Sequence, residues 1–202
     1  HENEQTSIEA LMLYAEETPI SYFYLNHNGE RRITFSEKEQ FYSIDPNRIF
    51  TNSGCAMTLK DGENYSPTVE EITITFRINI LSKVIDKEAI IALHNNTDSN
   101  YSIQSYLPDS SEAQNTKKLY INAEMDPDDF IYTTDKRVFK AMKKHQVNVI
   151  LQDNKNFVDD GSLSVYCGIH SIRYVNVETE HGHLEKQLEL MRLVNQVLDK
   201  KK

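Results

Sequence analysis

A chain of 202 residues fits one domain and is long enough to bury well over half of its unfolded surface. Its net charge of −9 argues against wrapping a nucleic-acid backbone or lying on an anionic membrane, both of which need clustered Lys and Arg. No run approaches the roughly eighteen apolar residues that a spanning helix needs, and two cysteines, Cys55 and Cys167, make no disulfide framework and read as buried thiols.

In chain order, residues 6–16 carry apolar positions at helical spacing. ISYFYL (20–25) and RRITF (31–35) read as strands around a turn at Asn28-Gly29, a strong hairpin signal. From Pro67 to Val84 the residues Val69, Ile72, Phe76, Ile80 and Val84 fall on one helical face. EAIIALH (88–94) is a short apolar run of the kind that forms a strand buried on both faces. Residues 101–107 and 118–122 read as further strands. A helix is expected at 135–145, then a strand at 147–152, and LSVYC (163–167) and IRYVNVE (172–178) follow as further apolar runs. The last helix, about 183–199, aligns Leu184, Leu188, Met191, Val194 and Leu198, and three terminal lysines suit the negative end of its dipole. This alternation of periods 2 and 3.6 predicts an α/β domain, a mixed sheet covered by helices on both faces with its chemistry at strand ends.

Three groups of residues carry possible chemistry. His1-Glu2-Asn3-Glu4 has the spacing His-x-x-Glu, which lets an imidazole and a carboxylate grip one ion. A third ligand belongs where a buried strand ends in a polar loop, and AIIAL delivers His94 to Asn95-Asn96-Thr97-Asp98. Three mixed N/O ligands suit zinc and leave a position open for water. Asp45-Pro46-Asn47-Arg48-Ile49-Phe50 offers the planar fork of Arg48 for a carboxylate, with the Asn47 amide beside it. The strand Tyr174–Glu178 finishes on a carboxylate, which suits a general base and acid. Competing assignments stay open: Glu180 as proton carrier, His181 or His183 as ligands, and the turns Asp126–Asp129 and Asp159-Asp160-Gly161 as cleft-lining acids or as solvated loops. Without a Gly-x-Ser-x-Gly elbow around Ser162 or Ser164, a serine hydrolase is not indicated.

Taken together, His1-x-x-Glu4, Asp45-x-Asn47-Arg48-x-Phe50, His94 after an apolar strand and Glu178 late in the chain resemble the zinc carboxypeptidase superfamily. IDPNRIF is similar to its aspartoacylase and succinylglutamate desuccinylase branch, and the match in order covers residues 1–178. The resemblance implies a three-layer α/β/α fold over residues 1–202, missing a strand that family members carry before the first motif. It also implies one zinc ion on His1, Glu4 and His94, and hydrolysis of an amide whose small-molecule or peptide substrate bears a free carboxylate. Asn47 and Arg48 then hold that carboxylate, Arg48 or Asn47 helps the oxyanion, and Glu178 moves protons. Three further departures from the family pattern bear on substrate and on the support of the third ligand. Gln40 and Phe41 lie where the branch has an extra Arg, so Arg31 or Arg32 must reach in. Leu93 replaces an aspartate often found before the third ligand, and the branch's C-terminal β-domain is missing. The alternative is a non-catalytic binding domain of the same fold for peptides or cell-wall fragments. Compartment is hardly readable, with a bacterial periplasmic or extracellular setting favoured over the cytoplasm.

Overall fold

The computed structural model of the chain describes residues 1–98 and 100–200. The elements in order are α1 (Gln5–Glu17), β1 (Ile33–Glu37), β2 (Gln40–Ile44), α2 (Asn52–Asp61), α3 (Pro67–Val84), β3 (Ile90–Asn96), β4 (Thr116–Tyr120), β5 (Phe130–Thr133), α4 (Lys136–Lys144), β6 (Val149–Gln152), α5 (Leu163–Ile169), β7 (Tyr174–Glu180) and α6 (Leu184–Asp199). Five strands form one mixed sheet in the order β3-β7-β5-β6-β4. β3 and β7 run parallel, as do β5 and β6, whereas β5 is antiparallel to β7 and β4 to β6. The chain is therefore the mixed α/β protein that its periodicity predicts.

Period 2 divides the sheet's side chains between two cores. Ile131, Val149, Leu151, Val175 and Val177 pack with the apolar stripes of α1, α4 and α6. Their neighbours Phe130, Tyr132, Ile150 and Tyr174 point the other way, onto Cys167 of α5 and onto Ile103 and Tyr106. A third cluster joins the β1–β2 hairpin to α2 and α3 through Tyr42, Ile44, Leu59, Val69 and Ile80. Both cysteines are buried and free. No helix among the described residues is long and apolar enough to cross a membrane.

Several local expectations are corrected, each for a physical reason. Residues 20–25 form no strand and make no backbone–backbone hydrogen bond among the described residues. They face the outer edge of β3 across a groove of about 790 Å³. The Asn28-Gly29 turn serves another purpose: the backbone N–H groups of His27, Asn28 and Gly29 all donate to Oε2 of Glu2, at 2.7, 2.8 and 2.8 Å. A carboxylate, rather than a paired strand, organises that turn. The real hairpin turns at Lys38-Glu39, both at positive φ (48° and 65°), between the paired residues Glu37 and Gln40. That is the backbone of a two-residue hairpin loop without its usual Asn or Gly.

Residues 101–107 contain a 3-10 turn, Ile103–Tyr106, because Ser102 and Ser105 cap each other's backbone and close it into a helix. Residues 163–167 begin α5, with the Ser162 hydroxyl accepting from Val165 N–H at 3.4 Å. On α3 the buried face is Val69, Thr73, Ile80 and Leu81, which leaves Ile72 exposed. On α6 it is Gln187, Leu188, Leu190, Met191, Val194 and Val197. Of the three terminal lysines only Lys200 lies within the described residues.

Candidate metal centre

The parallel register of β3 and β7 sets His94 directly beside Glu178. Partners in register share a face of the sheet, so both side chains enter one cleft, while Asn95 and Thr179 turn toward the helices. Asn95 fastens the first helix there. Its Oδ1 accepts from Ser7 N–H at 2.8 Å, and its Nδ2 donates to Gln187 Oε1 at 3.1 Å. Gln187, fully buried on α6, donates in turn to Ser7 Oγ (2.7 Å) and to the His94 carbonyl (3.2 Å). These bonds tie the start of α1, and with it Glu4 and His1, to the end of β3.

The result is a compact N/O cluster. Glu4, only 4% exposed, takes the Nδ1 of His1 on Oε1 at 2.6 Å and the Nδ1 of His94 on Oε2 at 2.9 Å. The rings of His1 and His94 are 5.3 Å apart, and one ligand atom from each of the three residues lies within 4.8 Å of the others. Burial alone would raise the Glu4 pKa, but the two histidines outweigh it and pull it down to about 2. Burial alone would lower His1, but hydrogen bonds to Asp45 and Glu4 raise it instead.

Asp45 occupies the second nitrogen of His1. Its Oδ1 lies 2.8 Å from His1 Nε2, and its Oδ2 accepts from the Arg31 guanidinium at 3.0 and 3.2 Å. A carboxylate on the outer nitrogen fixes the ring and leaves Nδ1 for an ion, the usual support of a metal-binding histidine. Two imidazoles and a carboxylate converging in this way fit zinc better than magnesium or calcium, which prefer all-oxygen shells.

Glu178 stands apart from this cluster's hydrogen bonds. It is 4% exposed, and its Oε2 accepts from Asn176 Nδ2 at 3.0 Å. Burial first, and then the charge of Glu4, push its pKa up to about 8. A carboxyl group poised near neutrality can both take and return a proton.

Asn47 and Arg48 line the same cleft, which has a volume of about 450 Å³. An Asx turn presents them: Asp45 Oδ1 accepts from Asn47 N–H (2.8 Å), and the Asp45 carbonyl accepts from Arg48 N–H (2.9 Å). Asn47 Oδ1 accepts from Leu163 N–H at 3.2 Å, which turns its NH2 away from α5. Arg48 donates to the Asn47 carbonyl at 3.0 Å and pairs with Asp160 at 3.6 Å, and its side chain is 38% exposed. The loop is clasped from behind where Phe50 N–H donates to the Gly161 carbonyl at 2.8 Å. There a Cβ on Gly161 (φ +78°) would lie 2.5 Å from the Arg48 carbonyl oxygen.

The structure thus brings all six expected residues, His1, Glu4, Asn47, Arg48, His94 and Glu178, to one cleft. Of the two arginines expected to reach in, Arg31 does so, and Asp45, Asn176 and Gln187 support the site without having been assigned a role from sequence. Asp45 precedes Asn47 and Arg48 in the IDPNRIF stretch, and Arg31 reaches in from the segment before β1 to pair with it. Arg32 points elsewhere, to the backbone carbonyls of Ser43 and Thr58. Glu180, Asp126 and His183 form a separate group, with His183 held by Asp129 at 3.1 Å. No protein-family model, curated protein or solved structure matches the chain.

Proposed function

We propose that the chain is a zinc-dependent hydrolase that cleaves an amide or peptide bond beside a free carboxylate, on a three-layer arrangement like that of the zinc carboxypeptidases. One observation carries this reading: His94 and Glu178 stand in register on parallel neighbours, with His1 and Glu4 closing over them. His1, Glu4 and His94 would hold the ion, with Asp45 orienting His1. Bound there, zinc would supply Lewis acidity toward the scissile carbonyl and toward water.

The chain's own residues do the rest. Glu178 has one oxygen engaged by Asn176 and so offers Oε1 to the attacking water. It takes the water's proton and returns it to the departing amine. Arg48 offers a planar fork to the substrate carboxylate, and the Asn47 amide supports it. Arg31, half-exposed and 3.9 Å from Glu4, is the second guanidinium of the cleft.

The test is zinc content and hydrolysis of N-acyl amino acids and peptides, measured side by side on wild type, Glu178→Gln and Glu180→Gln. About one zinc per chain is expected in all three, with turnover falling about 10²- to 10⁴-fold in Glu178→Gln alone. A large loss in Glu180→Gln with normal Glu178→Gln would move the proton carrier. Zinc-loaded wild type inert across a broad panel would favour a binding domain.

A further inference from the structure

Glu178 is held by a single bond. Its Oε2 accepts from Asn176 Nδ2 at 3.0 Å, and no other hydrogen bond or ion pair reaches its side chain among the described residues. Neither neighbour in register adds one. His94 turns Nδ1 to Glu4 Oε2 at 2.9 Å, and Phe130 is apolar. The last torsion of a glutamate is broad, so this one contact decides where the free oxygen, Oε1, points.

Nothing in the packing of the sheet calls for an amide at position 176. It lies in the middle of β7, between β3 and β5, with Ala92 and Tyr132 as register partners. The flanking Val175 and Val177 fill the helix-side core, and Asn176 faces the other way, into the cleft. Asparagine is depleted in strands. Its Oδ1 is also buried without a partner among the described residues. A buried acceptor left unpaired costs stability, and an apolar side chain of similar size would avoid that cost. The contact with Glu178 explains the orphan. An ionised carboxylate only accepts, so the amide must turn its NH2 to Glu178 and its oxygen away. A residue that breaks a local rule without a packing gain is expected where function requires it.

We propose that Asn176 is the positioning residue of the catalytic carboxylate: its amide fixes Oε2 of Glu178, so that Oε1 faces both the attacking water and the departing amine. The water's proton moves to Oε1, and the same oxygen returns it to the nitrogen as the C–N bond breaks. Held in this way, Glu178 need not turn between the two transfers. This role rests on the hydrolase reading, and it gives Asn176 no contact with substrate or ion.

The experiment is a double-mutant cycle. Asn176→Leu keeps a similar volume without the amide, and Asn176→Ala serves if leucine disturbs folding. Each is made in wild type and in Glu178→Gln. Zinc content, urea stability, kcat and KM are measured on N-acyl amino acids and peptides. In the wild-type background kcat should fall about 10- to 100-fold, the scale of a small misplacement. KM should stay within about twofold and zinc content should not change. Asn176→Leu should be no less stable than wild type. In the Glu178→Gln background the same substitution should cost no further activity, because there is no base left to position. Unchanged kcat in both Asn176 variants would overturn the role and leave the hydrolase standing. Loss of zinc in both variants, or an equal further loss in the Glu178→Gln background, would overturn it as well and make Asn176 a structural residue. Zinc-loaded wild type that hydrolyses nothing would remove the hydrolase reading and this role together.

Discussion

His1 has both ring nitrogens occupied by carboxylates, Glu4 on Nδ1 and Asp45 on Nε2, and the two contacts have different work to do. Glu4 and His1 converge on the same point, whereas Asp45 only orients the ring and is itself pinned by Arg31. Asp45 pKa is held well below the usual carboxylate range: burial opposes this, but His1 and Arg31 outweigh it. Asp45→Asn keeps an acceptor for the Asn47 N–H and so preserves the Asx turn, while it removes the charge behind His1. Zinc affinity should fall about 10- to 100-fold in this variant, as for other partners of ligating histidines. Competition with a chromophoric chelator measures it, and unchanged affinity would leave Asp45 as a turn residue only. Two of the expected site residues were legible because they end apolar runs: His94 closes AIIAL and Glu178 closes YVNV. Asp45 in its orienting role was not legible, since its partner lies far away in sequence and nothing in IDPNRIF specifies a contact with His1.

Among the elements, strong periodicity was readable and local hydrogen bonding was not. Helices α1, α4 and α6 and strands β3, β6 and β7 follow from spacing. The hairpin shifted because the Asn28-Gly29 turn wraps the Glu2 carboxylate, and β5 escaped notice because FIYT is four residues, all buried, behind an acidic turn. Likewise the glycine pair that holds the Arg48 loop carries no pattern in sequence. Gly54 and Gly161 meet backbone to backbone, and a Cβ on Gly54 would lie 2.4 Å from Gly161 Cα. Gly161→Ala adds both that crowding and a left-handed backbone for a residue with a side chain, so it should cost about 2 kcal/mol or more. Urea unfolding measures the loss, and a full-stability variant would show that the two loops can part freely. A second element-scale case is Asp135, which caps α4 by accepting from Arg137 N–H (2.6 Å) and pairs with Arg173, ahead of β7, at 2.7 Å. Burial would raise its pKa, but the Arg173 bond and the cap outweigh it, so the folded value lies below the unfolded one. A depressed carboxylate contributes its stability above the unfolded pKa and loses it as pH falls through the folded pKa. Wild type should therefore exceed Asp135→Asn by about 1 kcal/mol at pH 7, given screening on the exposed side. The gap should close as pH falls below about 4. A constant difference from pH 7 to pH 3 would show that the charge contributes nothing.

On the scale of the whole molecule the candidate centre is a cross-link. Two of its ligands sit at the entry to α1 and the third at the end of β3, about ninety residues later, so an ion would join the first helix to the sheet edge directly. That junction already has the Glu4–His94 contact, the Asn95–Ser7–Gln187 bonds, and Ala10 and Tyr14 of α1 in the same apolar cluster as Ile91 and Leu93. β3 is the outermost strand, paired only with β7 among the described residues, with a groove along its other side. A ligand bound by the native state alone stabilises it by mass action, by about 2.7 kcal/mol when its concentration is a hundredfold above Kd. In a chain of this size each kcal/mol moves Tm by about 2–4 °C, so saturating zinc should raise Tm by about 5–10 °C. A chelator should reverse the shift. His94→Ala should abolish it, because that variant leaves the ion on α1's entry without a ligand from the sheet. Substituting His183 should leave the shift intact, since the Asp126–Glu180–His183 group is separate from the three ligands. Scanning calorimetry of the three proteins with and without zinc distinguishes the cases. A shift that survives His94→Ala but vanishes in His183→Ala would transfer the stabilising ion to the other group and leave His1, Glu4 and His94 as a hydrogen-bonded triad.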